Sequence, residues 1–578
     1  MLLGKCFAVV LPWVFLAALV CHTSILANHL PEAEAKTKQP SARIESNDSD
    51  RGLRYTLGQG GLTSLSYNAQ SLLSSPQSGE VQPWKSIFRA AIDALLSDEP
   101  SPVATLNKQT GTIHLTYRWG HVSCDYHRKG DNGIAVKIQV ANASAESIED
   151  LSFRLMELNF PSIPQGTTLE AGMFGYGFKG TTHSLDEYPL LADPEFVVPV
   201  IRVDYATGTL NFCSDDFECS VGVPSSTNLP TATSYPLVVN CHDVKPGTTR
   251  TFNVSLRFGP VGSTVPDLSA DVLERYATKY PFQVRWKDHR PIGAIYLASS
   301  GINLATNPRR WILNFGKTDV TTDQGKATFR AALLKLADDS IKVLKDAGAQ
   351  GMITWDPEGE EFLESCYYGD PRLTSTLAPE TDFKGHGATG AMNEYFEKFR
   401  AAGLKVGVCI CPQQITMVNG KPKQGWADDE HAAQVLKDKI AYAKQRWGCT
   451  LFYVDSTYTG LRPLNPDVFK AVAEAYPDVL LIPENESMRY FAYSAPLNSY
   501  FQRRVTSTPV GARLVYPKAF SVLIAPGGDR PEDHDALVAA VRNGDILLFN
   551  GSYPDPGLDK IKRIYKQAEL PDHKSPQP

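Results

Sequence analysis

Two rhythms of apolar and polar residues divide the chain. From about Arg54 to Phe258 the period is two, as in Thr112-Ile113-His114-Leu115-Thr116-Tyr117, Ala135–Val140 and Thr251–Leu256, with polar turn clusters such as Gly130-Asp131-Asn132-Gly133 between runs. Alternation of this kind predicts strands with one buried face, and many of them predict a large antiparallel β-sandwich. Trp84–Leu96 is the one clear helical patch within it. After Pro291 short apolar runs alternate with amphipathic stretches. The runs are Ile292–Leu297, Gly351–Trp355, Lys405–Cys411, Leu451–Val454, Val479–Ile482, Leu497–Phe501, Phe520–Ala525 and Ile546–Phe549. Phe329, Leu333, Leu336, Val343 and Ala347 share a face at helical spacing, as do Met392, Phe396 and Phe399. Asn465-Pro466 reads as an N-cap with proline at the first helical position. Gly348, Gly403, Gly448 and Gly544 read as helix stops.

Strands alternating with helices in this number predict a (β/α)8 TIM barrel; an open doubly wound sheet is the alternative. The narrowest link is Ser487–Pro496, which has room for a short helix only. The expected organisation is therefore multi-domain, with an N-terminal antiparallel β-sandwich at 51–258, a linker and helix at 259–290 and an α/β barrel at 291–569. Residues 570–578 form a tail. At the other end, Lys5 followed by the apolar stretch Phe7–Val20 and a small-residue site near Ala27 reads as a signal peptide over 1–27, with a membrane anchor as the competing reading. Residues 28–50 are polar and aperiodic, a disordered tether. These features predict a secreted or periplasmic protein with no integral membrane span after signal cleavage.

Composition narrows the chemistry. With 42% hydrophobic and 21% charged residues the chain is ordinary for a globular protein, and a formal charge of −6 offers no electrostatic case for nucleic acid. Ten cysteines over 578 residues do not make a disulfide scaffold. Cys213 and Cys219 are spaced to bridge a local loop or to remain free, and Cys409 and Cys411 share one strand face as packing residues. The barrel half carries only His289, His386, His431, His534 and His573, and its first strand run ends in Leu297-Ala298-Ser299 rather than His-x-His. That argues against a zinc hydrolase. No Gly-x-Ser-x-Gly, Walker or dinucleotide motif is present, so no cofactor and no metal is expected.

What remains is carboxylate chemistry at the strand ends, where barrel folds place their sites. The fourth run ends in Asp455 and the fifth in Pro483-Glu484-Asn485-Glu486. Glycoside cleavage needs one carboxylic acid to protonate the leaving oxygen and one carboxylate to attack or to activate water. Asp455 suits the nucleophile or base and Glu484 the acid, with Glu486 as an alternative acid or a hydroxyl ligand. A helix cap is the plain structural use of Asp455. The second run ends in Trp355-Asp356-Pro357-Glu358, the seventh opens into Gly528-Asp529, and Tyr458 and Arg489 lie just beyond the two acids. Trp355, Asp356, Glu358, Glu486, Arg489, Asp529 and Tyr458 are the expected substrate-binding residues. Tyr367 and Tyr490 are further stacking candidates. The partner would be an oligo- or polysaccharide.

This arrangement resembles secreted glycoside hydrolases that join a β-sandwich to a catalytic barrel. Phe452-Tyr453-Val454-Asp455 is similar to the nucleophile strand of α-galactosidase and α-glucosidase type barrels. Asp455, Glu484 and Asp529 (or Asp535) fall where α-amylase type barrels carry their acids, although Tyr453 stands where those have arginine. The resemblance implies an exported glycoside hydrolase. The competing reading is a non-catalytic glycan-binding or cell-envelope protein that uses the same cleft.

Overall fold

The computed structural model describes residues 52–569 apart from 59–60, 74–102, 160–168, 172–189, 193, 195–196, 224–233, 300, 303, 314–317, 360–366, 371–372, 375–377, 385–388, 420, 456–457, 460–461, 499–506, 526–533 and 553–555. The segments expected as signal peptide (1–27), tether (28–50) and tail (570–578), the helix expected at Trp84–Leu96, and Asp529 lie outside the described residues. So does the side chain of Tyr458. The chain forms two compact units, one running up to Pro281 with Pro509–Pro517 added, the other comprising Phe282–Thr508 and Lys518 onward.

The first unit is built from antiparallel sheets. Its largest has eight strands, in the order Val103–Asn107, Thr112–Tyr117, Gly120–Arg128, Gly133–Asn142, Thr249–Gly259, Gly208–Ser214, Val200–Tyr205 and Leu169–Ala171. Four-stranded and three-stranded sheets contribute to the same core. The period-two reading holds residue by residue. Ile113, Leu115 and Tyr117 point inward, as do Ile134, Val136, Ile138 and Val140, and Phe252, Val254 and Leu256. The helix expected within 259–290 spans Val265–Lys279. Thr264 accepts from the Asp267 N–H while the Asp267 carboxylate accepts from the Thr264 N–H, a capping box that fixes its start. Cys213 and Cys219 are free, buried thiols 3.3 Å from Ser269 Oγ and Ser214 Oγ respectively, so the local bridge does not form. Burial pushes both thiols up, Cys213 to about 11. A reducing agent should therefore leave the melting temperature of the folded protein unchanged, and a drop on reduction would contradict the free-thiol state.

The second unit contains eight parallel strands, β1 Ile292–Tyr296, β2 Gly351–Trp355, β3 Lys405–Ile410, β4 Leu451–Val454, β5 Leu480–Pro483, β6 Leu497–Asn498, β7 Val522–Ile524 and β8 Ile546–Asn550. Their order is β5-β4-β3-β2-β1-β8-β7-β6, with β8 beside β1. Every pairing is parallel, and the result is a nearly closed barrel. At the remaining seam the Ala495 N–H, just before β6, bonds the Leu481 carbonyl of β5 at 2.9 Å. Helices α1 Asp323–Asp346, α2 Ala391–Ala401, α3 Asp429–Trp447 and α4 Pro466–Ala475 follow the first four strands. α5 Tyr490–Tyr493 follows β5, α6 His534–Arg542 precedes β8, and α7 Pro556–Ala568 follows it. The one-turn α5 is the short connection that Ser487–Pro496 allows. No helix among the described residues is long and apolar enough to cross a membrane.

The helix ends follow their chemistry. Asn465 accepts from the Asp467 N–H at the start of α4, with Pro466 at the first position. Gly348, Gly403, Gly448 and Gly544 all have positive φ; at Gly448 (φ 71°) the left-handed residue ends α3 so that β4 can begin. On α1 the buried face runs through Phe329, Leu333, Ala337, Ser340, Val343 and Leu344, with Ala337 in the place expected for Leu336. Inside the barrel, alternate strand residues meet: Ile292 and Ala294, Ile353 and Trp355, Cys409, Leu451 and Tyr453, Leu480 and Ile482, Val522, and Ile546 and Leu548. That parity decides which residues reach the rim.

Candidate active site

Asp455 and Glu484 occupy equivalent places on neighbouring strands. β4 and β5 pair in register up to Val454 opposite Pro483. The ladder then continues one step, because the Glu484 N–H bonds the Val454 carbonyl at 2.9 Å and the Asp455 N–H bonds the Ile410 carbonyl at 2.7 Å. The two acids thus stand side by side at one inter-strand spacing, about 4.8 Å between backbones. Tyr453 and Ile482 line the barrel interior, and a residue two further along an extended strand keeps the same side. Both carboxylates accordingly crown the barrel axis, and both are only partly buried.

Tyr453 joins them. Its ring is 7% exposed, and its hydroxyl is pushed well above the ordinary tyrosine range, first by burial and then by the negative charges of Glu484 and Asp455. Both acids are therefore within electrostatic reach of one hydroxyl that stays protonated. Cys409 Sγ lies 3.8 Å from Asp455 Oδ2, so the inward thiol of β3 borders the site from the other side. Trp355 packs against Tyr453 (ring centroids 5.0 Å apart) and Tyr296 (4.9 Å). Three aromatic rings from β1, β2 and β4 make an apolar floor under two acids, a surface and charge pattern suited to a ring of hydroxyls with an apolar face.

Asp356 ends β2 in the left-handed region, at φ 55°. A non-glycine residue pays for that conformation, and such strain gathers where side chains must be aimed. Gly359 N–H bonds the Asp356 carbonyl at 2.9 Å and closes the turn. Glu486 lies beyond the end of β5 and is 5% exposed, more buried than Glu484.

Other expected ligands are engaged elsewhere. The Glu358 side chain is fully buried; it accepts from the N–H groups of Tyr368 (3.0 Å) and Gly369 (3.2 Å), from Thr374 Oγ1 (2.6 Å) and from Arg446 (3.2 Å). That set of donors makes Glu358 an anchor for the segment after β2, not a hydroxyl ligand. Arg489 is buried and paired with Asp467 in the first turn of α4. Tyr367 and Tyr490 are buried at 1% and 0%, Tyr490 donating to the Leu464 carbonyl, so neither offers a stacking face. Sequence reasoning passed over Tyr296 and Tyr453. Their signal was available, since each is an aromatic on the inward parity of a strand next to its C-terminal end.

No known family profile matches the chain, and no curated protein matches it. Among solved structures the chain is similar to an α-N-acetylgalactosaminidase, NagBb from Bifidobacterium bifidum, with TM-score 0.44 and 9% identity over 80% of this chain and 91% of that one. It is also similar to a β-arabinopyranosidase, with TM-score 0.38 and 10% identity over 91% and 85% of the two chains. An α-L-fucosidase isoenzyme from Paenibacillus thiaminolyticus aligns with TM-score 0.28 and 16% identity over 49% of this chain and 74% of that one. These structural neighbours are glycoside hydrolases.

Proposed function

We propose that the protein is an exported, metal-independent glycoside hydrolase working at the rim of a closed (β/α)8 barrel. The observation that carries this reading is the pair of strand-end carboxylates, Asp455 and Glu484, adjacent in the β4–β5 ladder above Tyr453 and Trp355. Glu484 donates its proton to the glycosidic oxygen as the bond to the anomeric carbon breaks. Asp455 attacks that carbon, and Glu484 then takes a proton from the water that releases the sugar. Tyr453, kept protonated, can donate to whichever carboxylate is ionised. Asp356, Glu486 and Asp529 are the candidate hydroxyl ligands, and Tyr458 a further candidate for contact with the substrate. Attack by the Asp455 carboxylate itself, rather than by water, would retain the anomeric configuration.

The test is a screen of the purified protein against a panel of oligosaccharides, with and without a chelator. Release of a reducing sugar unaffected by the chelator is expected. Glu484→Gln should then lose about a hundredfold or more on a sugar leaving group yet keep much of its rate on an aryl glycoside whose leaving group needs no proton. Equal losses on both substrates would remove Glu484 from the acid role. Binding without turnover across the panel would replace the enzyme reading with that of a glycan-binding protein.

A further inference from the structure

After β3 the chain leaves the barrel as an antiparallel hairpin, Gln413–Val418 paired with Lys421–Trp426. The Ala427 N–H bonds the Pro412 carbonyl at 2.9 Å and closes its base. Gln413 lies directly opposite Trp426, and opposed residues of an antiparallel pair project from the same face. That face continues the inside of the barrel. Cys409 and Cys411 line the interior, and Cys411 Sγ donates to Gln413 Oε1 at 3.1 Å. Asp455 stands beside Cys411 in the ladder, so the Gln413–Trp426 pair lies two residues further out, about 7 Å along the strand. That is the span of a neighbouring sugar ring.

Two independent features of this pair call for a ligand. Trp426 is 43% exposed and is the one aromatic among the exposed large hydrophobic side chains of the described residues. Gln413 is 2% exposed, and its Nε2 has no hydrogen-bond partner among the described residues. A buried amide donor left unsatisfied costs stability and is rare in folded proteins, so a site that keeps one has a use for it. An apolar ring face beside an unsatisfied donor is complementary to a pyranose, which offers an apolar face and equatorial hydroxyls.

We infer that Gln413 and Trp426 form a second sugar subsite, holding the ring next to the one that lies between Asp455 and Glu484. That ring stacks on Trp426 and accepts a hydrogen bond from Gln413 Nε2. The inference rests on the glycosidase reading above and adds to it that the substrate is a disaccharide or longer, selected by the hairpin.

The experiment uses the full chain carrying Asp455→Asn, which preserves the cleft without consuming the ligand, on a printed array of plant, animal and microbial oligosaccharides with their parent monosaccharides. Adding Trp426→Ala or Gln413→Leu should weaken binding of the recognised disaccharide about tenfold and leave binding of the monosaccharide held between Asp455 and Glu484 unaffected, while Trp426→Phe recovers most of the loss. Gln413→Leu should leave the melting temperature nearly unchanged, because it removes an unsatisfied amide donor along with one weak bond from the Cys411 thiol. A purely structural glutamine would show the opposite pair of effects, a lower melting temperature with disaccharide binding intact. Either that result or unchanged disaccharide binding in the Trp426→Ala protein overturns the subsite. Failure of the glycosidase reading is separately visible, as wild-type protein that cleaves nothing on the array, and the subsite then falls with it.

Discussion

The Asp455→Asn protein should fold as the wild type does and turn over no glycoside, with kcat down by at least about a thousandfold. Asparagine keeps the size of the side chain and removes the negative charge that must attack or activate water. Asp455 has a second conceivable use, capping the next helix, and the structure assigns that use to another residue. The following helix, α4, begins at Pro466, and its cap is Asn465. The Asp455 backbone N–H is bonded to the Ile410 carbonyl whatever the side chain is, so the strand end keeps its place in the variant. Thermal melts should therefore superimpose, within about 2 °C for a chain of this size. A variant that retains more than a few per cent of wild-type turnover would remove Asp455 from the centre of the reaction. One that loses activity and melts much earlier would show a structural part for the charge.

How far the site could be read from the sequence depended on how local each signal is. Strand-end acids are local: Leu-Phe-Tyr-Val breaking into Asp455, and Val-Leu-Leu-Ile-Pro into Glu484, place both residues once the runs are taken as strands. Helix ends are local too, which is why Asn465 and the four glycines fell where expected. The period-two residues of the antiparallel sheets face inward for the same reason. Glu358 was misread because its partner is remote. The acid reads as a cleft-facing substrate ligand until Arg446, 88 residues on, is brought against it by α3. The hairpin was missed although it has a signal, the Asn419-Gly420 dipeptide between two alternating runs. Asn419 adopts φ 51°, as such a turn requires. Polar residues at Gln413 and Gln414 made the strand seem to end at the rim, when the chain was extending past it. The seam of the barrel lay at the shortest connection, where a one-turn helix is all that Tyr490–Tyr493 supplies.

The largest effect on stability is expected from Arg446→Met. Arg446 is about nine-tenths buried on α3, its guanidinium stacked over Trp447 at 4.7 Å and bonded to Glu358, Asp382, Asn393 Oδ1 (3.0 Å) and the Tyr442 hydroxyl (3.3 Å). Methionine fills most of the space and leaves the fully buried Glu358 without its cation. Removing one partner from a buried pair costs about 3–5 kcal/mol. The pH dependence identifies the cause. Burial raises the Glu358 carboxyl above its ordinary value of 4.5, and Arg446 is the largest influence holding it down. Without Arg446 the carboxyl rises further. The folded variant then keeps a proton that the unfolded chain gives up, so stability falls as pH climbs from the unfolded carboxylate value through the raised folded one. Urea titrations should find the deficit small near pH 4.5 and growing toward pH 8, whereas a simple packing defect would give one deficit at every pH. Adding Glu358→Gln should flatten the pH dependence and recover part of the loss, because the buried charge is gone while an oxygen remains to accept from the N–H groups of Tyr368 and Gly369, and the amide NH2 can donate to the Thr374 hydroxyl in place of the bond it accepted. If the double variant is as unstable at pH 8 as Arg446→Met alone, the buried carboxylate is not what Arg446 serves, and its stacking on Trp447 takes over as the source of the loss.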